Sequence, residues 1–499
     1  NHISVVCYHH RKSKMAVKCR YSSVLLAVIY LQFTVKSGFS YRAAVVEFAP
    51  TQSELEPADT LLDNARRYVD IIKTAVMHNA NIVVFPECGL TTIKIPVVRQ
   101  EIFPFLIEVP AVGTNPCDIL DSHKVLQLLS CAAKHNAIYV VVNLSELAHC
   151  SVGETDCPPD GCLFYNTNIA FNRSGHIVAR YRKTNLFIEP EFSEMKTPDY
   201  SWFDTDFGVR FGIFTCFDIL FKEPTATLLS KQNITDFVYP TAWFSELPFY
   251  SAISVQAGWA YANDVNLLAA GYNNPKNKNT GSGIYEGRDG EVVAHMSHDL
   301  ATRLLISTVN TKQRGTPSSR TEKITITSST SVNFQERKLD IDFFHYNLEN
   351  FTSTIISGPD TNLEYNNEGF TCKISVQVSL TGDGPTYRLV AWSGLRTYGG
   401  NKSVYVEFCG VIACPDTQLS SCGYEPNFLS HHVQFSRISI RSVSKKSLFS
   451  YPITLTDELL SFPAKVFSFK SQKMIEEFGT NLTSNEISFN FITFALGRV

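Results

Sequence analysis

Between Tyr41 and Leu144 apolar segments of two different periods take turns, and that alternation restricts the chain to a layered α/β fold. Arg42 to Phe48 is a short apolar run that reads as a strand. Leu61, Leu62, Ala65, Val69, Ile72 and Val76 then recur at three- and four-residue spacing, which marks one face of a helix. Asn81 to Phe85 reads as a buried strand ending at Pro86-Glu87, Ser122 to His135 as a second helix, and Ala137 to Leu144 as the strand it leads into.

The pattern continues with two strands, Asn168 to Phe171 and Ile177 to Arg182, joined at Arg173-Ser174-Gly175 in a hairpin that ends on Lys183. Val209 to Thr215 is rich in β-branched and aromatic residues and too short for a helix, so it predicts a buried strand ending at Cys216. Asp218 is then a first-turn acid of a helix expected to run on through Thr227 and Leu229. A thiol between a strand's carboxyl end and a helix amino end sits where an anion is favoured, which suits a nucleophile. The competing reading of Cys216 is a small buried hydrophobe.

Asp236 to Tyr239, a Pro240-Thr241-Ala242-Trp243 turn, a helix near Ser251 to Ala262, the strand Val265 to Ala270 and a Gly281-Ser282-Gly283 turn complete a first domain, expected over 41–310. Residues 311–331 are rich in Ser, Thr, Lys and Arg and read as a linker. Short alternating runs such as Lys373 to Leu380 and Val433 to Ile440 then predict a β-rich second domain over 332–499. A length of 499 residues fits two or three cores. A formal net charge of -3 gives no electrostatic case for nucleic acid or an anionic membrane. Oligomeric state is not legible.

Met15, Lys18 and Arg20, the apolar run Val24 to Val35 and small residues at Ser37 and Gly38 have the layout of a secretory signal peptide over 15–37. Sequons at Asn143, Asn172, Asn233, Asn350, Asn401 and Asn481 accord with an extracellular glycoprotein. Without Cys7 and Cys19 eleven cysteines remain, an odd number that fits one free nucleophile plus pairs. Cys150, Cys157 and Cys162, and Cys409, Cys414 and Cys422, form two clusters expected in disulfide-bearing loops. Neither has the C-x-x-C units or histidine spacing of a zinc site. The end at Phe494 to Val499 lacks the small-residue site, spacer and apolar tail of a GPI signal, so no membrane anchor is expected.

Three strand ends each present a reactive side chain: Glu87 after Val83-Val84-Phe85-Pro86, Lys183 after Arg180-Tyr181-Arg182, and Cys216. Their order and flanks resemble the nitrilase superfamily, and within it the secreted biotinidase and vanin (pantetheinase) branch. The resemblance is carried by Tyr181-Arg182-Lys183-Thr184-Asn185-Leu186-Phe187, by Gly212 to Phe221, by Val238-Tyr239-Pro240-Thr241-Ala242-Trp243 and by Gly281-Ser282-Gly283-Ile284-Tyr285. It implies a four-layer α-β-β-α sandwich and hydrolysis of a non-peptide C–N bond, with no metal or other cofactor. By that resemblance Cys216 is the nucleophile, Glu87 the proton acceptor, and Lys183 with the Phe217 backbone N–H the oxyanion donors. Glu189 is favoured over Glu191 as a second acid, and Trp243 as an apolar wall of the substrate pocket. The substrate implied is a secondary amide of a vitamin acid, either pantetheine or biocytin. A non-catalytic glycoprotein of the same fold and an N-acyltransferase are the alternatives. One departure stands out: Cys88-Gly89-Leu90-Thr91-Thr92 replaces the acidic and aromatic residues usual after the glutamate. A buried inert thiol is the default reading of Cys88.

Overall fold

In the computed structural model the described residues are 40–499 apart from 52–55, 152, 154–155, 233, 313–322, 328–340, 381–385, 399–401, 425–432, 447–448, 475–476 and 488. The expected signal peptide lies outside them, as do Asn233 and Asn401.

The first strand, Ser40–Glu47, divides the core in two. Ala43 and Val45 enter one apolar cluster while Ala44 and Val46 enter another, as the two-residue period of a strand buried on both faces requires. It pairs in parallel with Ile82–Val84, which pairs in parallel with Tyr139–His149. Parallel neighbours need long crossovers, and the helices Pro57–Met77 and Lys124–Asn136 supply them. Cys162–Phe171 and Ile177–Arg182 extend this sheet at one edge, Arg303–Asn310 and Lys323–Thr327 at the other, and Leu106–Glu108 completes its eight strands. A second, six-stranded sheet runs in the order Glu291–His295, Ser282–Glu286, Asn266–Gly271, Asp236–Thr241, Arg210–Ile213, Trp202–Asp204.

The two sheets face each other, with Val45, Val84 and Val141 of the first against Ile213, Val238 and Leu268 of the second. Leu61, Ala65 and Ile72 of one helix and Leu126 and Leu129 of the other cover the outer face of the first sheet. Trp259 of the helix Ala252–Asn263 packs on Phe214 and Phe237 outside the second. The result is the expected α-β-β-α order. A one-residue slip of any central strand would exchange its two faces, at about 1.5–3 kcal/mol for each large side chain expelled.

The C-terminal part is a sandwich of two five-stranded antiparallel sheets. One contains Thr352–Ile355, Thr386–Tyr398, Lys402–Cys414, Phe491–Arg498 and Ser450–Thr456; the other Asp360–Asn367, Phe370–Leu380, Val433–Ser444, Glu477–Ile487 and Phe467–Met474. Ile374, Leu389, Val411, Ile440 and Phe494 fill the space between them, and the Cys372–Cys409 disulfide joins them. The outer face of the first of these sheets covers the helix Ala252–Asn263, so Val406, Phe408, Tyr451 and Ile453 share a core with Trp259.

Several sequence-based expectations need correction. Lys323–Thr327, assigned to the linker, is a strand antiparallel to Arg303–Asn310; its Ile-Thr-Ile alternation was masked by the polar composition around it. The expected helix after Cys216 is two pieces, a 3₁₀ turn Cys216–Leu220 and a helix Thr225–Gln232. Pro224 lies between them and has no N–H to continue the helix. Among the described residues three cysteines are free, Cys88, Cys162 and Cys216; Cys162, expected in a disulfide-bearing loop, instead opens the strand Cys162–Phe171 as a free thiol. Cys150 pairs with Cys157 and Cys414 with Cys422, while a Cys117–Cys131 pair was not anticipated. Cys409 and Cys414 lie in a strand rather than a loop, because the apolar run of Lys402–Cys414 continues through them.

Gly258 tests the contact between the two halves. A Cβ there would stand 2.0 Å from the Pro452 carbonyl oxygen, a backbone atom that no rotamer change can remove. Gly258→Ala gains about 1 kcal/mol of helix propensity but forces a backbone shift costing about 1–3 kcal/mol. Net destabilisation is expected in chemical denaturation; a stabilised variant would contradict this packing.

Candidate active site

All the expected catalytic groups stand just beyond strand ends. Glu87 follows Ile82–Val84, Lys183 follows Ile177–Arg182, Cys216 follows Arg210–Ile213, and Ala242 and Trp243 follow Asp236–Thr241. Facing sheets therefore deliver side chains from opposite sides to one point, as the carboxyl ends of strands commonly do in α/β proteins.

The nucleophile turn is set by Asp218. Its Oδ2 accepts hydrogen bonds from the Thr215 N–H at 2.9 Å and the Tyr181 hydroxyl at 2.6 Å, and its Oδ1 accepts from the Asn185 N–H and Nδ2, both at 2.8 Å. Cys216 sits in left-handed backbone, φ 44°, a strained conformation for a residue with a Cβ. The Tyr239 hydroxyl donates to the Cys216 carbonyl at 2.8 Å and so holds the turn from below. Phe217, the expected oxyanion N–H donor, is next in the turn, and its ring is anchored against Phe187 and Tyr398 at centroid distances of 4.9 and 5.1 Å.

Lys183 lies between two carboxylates. Its Nζ donates to Glu87 Oε1 at 2.7 Å and to Glu189 Oε2 at 2.6 Å, with the Lys183 and Glu87 side chains only 1% and 3% exposed. Burial alone would lower the lysine, but Glu189 and Glu87 outweigh it and hold the ammonium well above its ordinary range. Glu87 Oε2 accepts the Ala242 N–H at 2.8 Å, and Phe187 N–H donates to Glu189 at 2.9 Å. The Cys216 thiol is pushed well up, first by burial and then by Glu87, against smaller opposing effects of Lys183 and the Thr241 hydroxyl. At neutral pH the resting sulfur is thus protonated. Glu87 is the carboxylate beside it.

The sequence reading missed an asparagine ladder behind these groups. Asn166 Nδ2 donates to Glu87 Oε1 at 2.8 Å and to Glu189 Oε1 at 2.6 Å. Asn143 Nδ2 donates to Asn166 and Asn168 at 2.7 and 2.9 Å, its Oδ1 accepts the Cys88 N–H, and Asn168 donates to Thr215 Oγ1 at 2.7 Å. Asparagine is unfavourable in a strand interior, so its presence at Asn166 and Asn168, two apart on one face, was the available signal. The sequon at Asn143 requires correction: its side chain is buried and fully committed to this ladder, which leaves no room for a glycan. Asn172 is half-buried and Asn350 exposed.

Two cavities meet at Cys216, Phe187 and Phe244. The larger, about 250 Å³, is walled by Phe217, Trp243, Tyr250 and Tyr398 and reaches Glu246 and Arg396. Trp243 is fixed there by its Nε1–H, which donates to the Tyr250 carbonyl at 2.8 Å. The smaller, about 130 Å³, is lined by Glu87, Cys88, Ile95, Lys183, Glu189 and Glu191. The turn around Trp243 lines both cavities, through Trp243 and Phe244 in the larger and Ala242 and Phe244 in the smaller, while Cys88 after Glu87 lines the smaller. Burial, with Glu189 adding to it, raises the Glu191 carboxyl to about 7. Cys88 has left-handed backbone, φ 56°, and its thiol is raised by burial, then by Glu87 and Glu189.

Asp218 gives a pH test of the turn. Burial raises its carboxyl from 3.8 to about 6 despite its hydrogen bonds, so the native state binds this proton more tightly than the unfolded chain. Its contribution to stability is therefore complete below pH 3.8 and is lost as pH rises to about 6. The loss amounts to about 3 kcal/mol. Denaturation at a series of pH values should show this fall in the wild type and a flatter profile in Asp218→Asn; identical profiles would contradict the assignment.

Residues 42–307 match the carbon-nitrogen hydrolase family and residues 341–498 the vanin C-terminal domain. Vanin-like protein 2 of Drosophila melanogaster is 35% identical, with 88% of this chain and 84% of that protein covered. Pantetheinase of Mus musculus is 32% identical over 85% of this chain and 83% of that protein. A crystallised amidase from Nesterenkonia sp. is 16% identical and covers 55% of this chain and 91% of its own, with a TM-score of 0.40. The chain belongs to the carbon-nitrogen hydrolase family, as a vanin-like member.

Proposed function

We propose that this protein is an exported amidase that cleaves pantetheine to pantothenate and cysteamine through a thioester on Cys216. The observation that carries the reading is the buried Lys183 shared by Glu87 and Glu189 beside a protonated thiol, where two cavities meet.

As the sulfur bonds to the amide carbon, its proton passes to Glu87 and the carbonyl electrons move onto oxygen. The negative charge leaves Glu87 and appears on the oxyanion, so Lys183 exchanges one ion-pair partner for another while Glu189 keeps it paired throughout. The Phe217 N–H is the second oxyanion donor. Collapse breaks the C–N bond as Glu87 gives its proton to the departing nitrogen. Water then loses a proton to Glu87, attacks the thioester and releases the acid, restoring the thiol.

Size and charge support the substrate. Pantothenate is several times larger than cysteamine, so the acyl half suits the cavity of about 250 Å³ and the amine the one of about 130 Å³. The smaller cavity is lined by Glu87, Glu189 and Glu191, which suits the ammonium that cysteamine becomes on release, whereas the lysine half of biocytin is bulkier and carries an α-carboxylate beside its α-ammonium. The mouse relative named pantetheinase is in keeping with this reading. Export is supported by four disulfides among the described residues, since such bonds persist in oxidising compartments.

Purified protein offered both amides should release cysteamine from pantetheine far faster than lysine from biocytin. Free acid should form without an added amine; an absolute need for one would favour acyl transfer. Cys216→Ala should abolish turnover. Glu87→Gln should lose roughly 10²- to 10⁴-fold and Lys183→Ala roughly 10²- to 10³-fold. Asn166→Leu removes two hydrogen bonds to carboxylates, and at about 1.5–3 kcal/mol for a charged hydrogen bond should cost at least tenfold in kcat/KM. Near-normal rates in Cys216→Ala would overturn the mechanism, and preference for biocytin would overturn the substrate. The expressed protein should be recovered glycosylated from culture medium; retention in the cytosol would contradict export.

A further inference from the structure

The far end of the larger cavity is built by both halves of the chain, and its polarity has no part in the chemistry at Cys216. Arg396, from the strand Thr386–Tyr398 of the C-terminal sandwich, donates through one Nη to both carboxylate oxygens of Glu246, from the strand Glu246–Leu247 that follows the Trp243 turn. The guanidinium lies over the rings of Tyr346 and Tyr398, at 4.1 and 4.7 Å from their centroids. Its other Nη and the hydroxyls of Tyr250 and Tyr398 are near enough to affect one another's titration, yet none meets a partner in hydrogen-bond geometry.

On the proposed amidase reading, we infer that Arg396 and Glu246 form the specificity end of the acyl pocket and select acyl groups with an uncharged, hydroxyl- or amide-bearing tail. The apolar section between Cys216 and this end, walled by Trp243, Phe217 and Tyr398, suits an aliphatic chain. Beyond it stand spare donors, which a plain alkyl group would leave unpaired and an oxygen-bearing group would satisfy. Charge sets the other limit. Because Glu246 already neutralises Arg396, a carboxylate tail meets the glutamate and an ammonium tail meets the guanidinium, so neither ion gains a free counterion. The C-terminal sandwich thus contributes a specificity residue to a reaction whose nucleophile lies in the other half of the chain.

The test is a panel of amides with one common leaving amine, aminomethylcoumarin, whose release is read by fluorescence whatever the acyl group. The acyl groups are pantothenoyl, a plain alkanoyl of equal length, and the same chain ending in a carboxylate or an ammonium. Wild-type protein should prefer pantothenoyl over each of the others by at least tenfold in kcat/KM. In Arg396→Met paired with Glu246→Leu, which leaves no unpaired buried charge, the pantothenoyl-to-alkanoyl ratio should collapse towards one, mainly through KM. Alkylation of Cys216 by iodoacetamide at the wild-type rate verifies that the double variant is folded; if it is not, the single variant Arg396→Lys, which keeps the charge but loses the fork, should still lower the ratio. An unchanged ratio in a folded variant, or a wild-type preference for the carboxylate or ammonium tail, would overturn the inference. Failure of pantetheine itself to turn over, with the panel ratio still collapsing, would remove the substrate reading and leave this one standing.

Discussion

Everything at the centre of this molecule depends on one buried cation held by two anions. Lys183 is almost fully enclosed, and a buried ammonium persists only where nearby carboxylates repay its lost hydration. Glu87 and Glu189 do so, and they leave the cluster with one excess negative charge. Burial first, and then the charge of Glu87, push the Cys216 thiol well up, so it rests protonated beside that carboxylate. The asparagine ladder completes the arrangement: Asn166 bridges the two carboxylates, which would otherwise repel each other, and Asn143 orients Asn166.

Such a cluster can be assembled only if separate strand ends arrive in register. Glu87 and Lys183 come from one sheet, Cys216 and Ala242 from the other, and the core between the sheets fixes their spacing. The same dependence extends outward. Helix Ala252–Asn263 backs the sheet that carries Cys216 and Ala242, and the C-terminal sandwich packs on that helix closely enough to require glycine at Gly258. The sandwich also supplies Tyr398 beside Phe217 and Arg396 at the end of the larger cavity, so its role in the pocket and its role in packing are joined.

Much of this was legible from residues alone, for identifiable reasons. The strands of the first half alternate or run apolar because they are buried on one or both faces, and the helices show their spacing because one face is wet. Glu87, Lys183 and Cys216 stood out because each presents a reactive group at the end of a strand. Glu189 lay in a loop with no periodic signal, and only its position after Lys183 favoured it over Glu191; the structure places it 2.6 Å from the ammonium. What escaped depends on contacts distant in sequence. Asn143 looked like a glycan acceptor because a sequon is local, whereas its partners Asn166 and Asn168 come from the neighbouring strand. Arg396 carried no signal in the sequence, since its partner Glu246 is 150 positions away. Cysteine parity accommodated one free thiol as readily as three.

The central claim is that Cys216 carries the acyl group between amide cleavage and hydrolysis. Rapid acid quench of the protein with excess pantetheine, followed by proteolysis and mass spectrometry, addresses it directly. The account predicts a pantothenoyl adduct on the peptide containing Cys216 that hydroxylamine removes and that is absent from Cys216→Ala. Steady release of cysteamine with the adduct on Cys88 instead, or with continued turnover in Cys216→Ala, would contradict it.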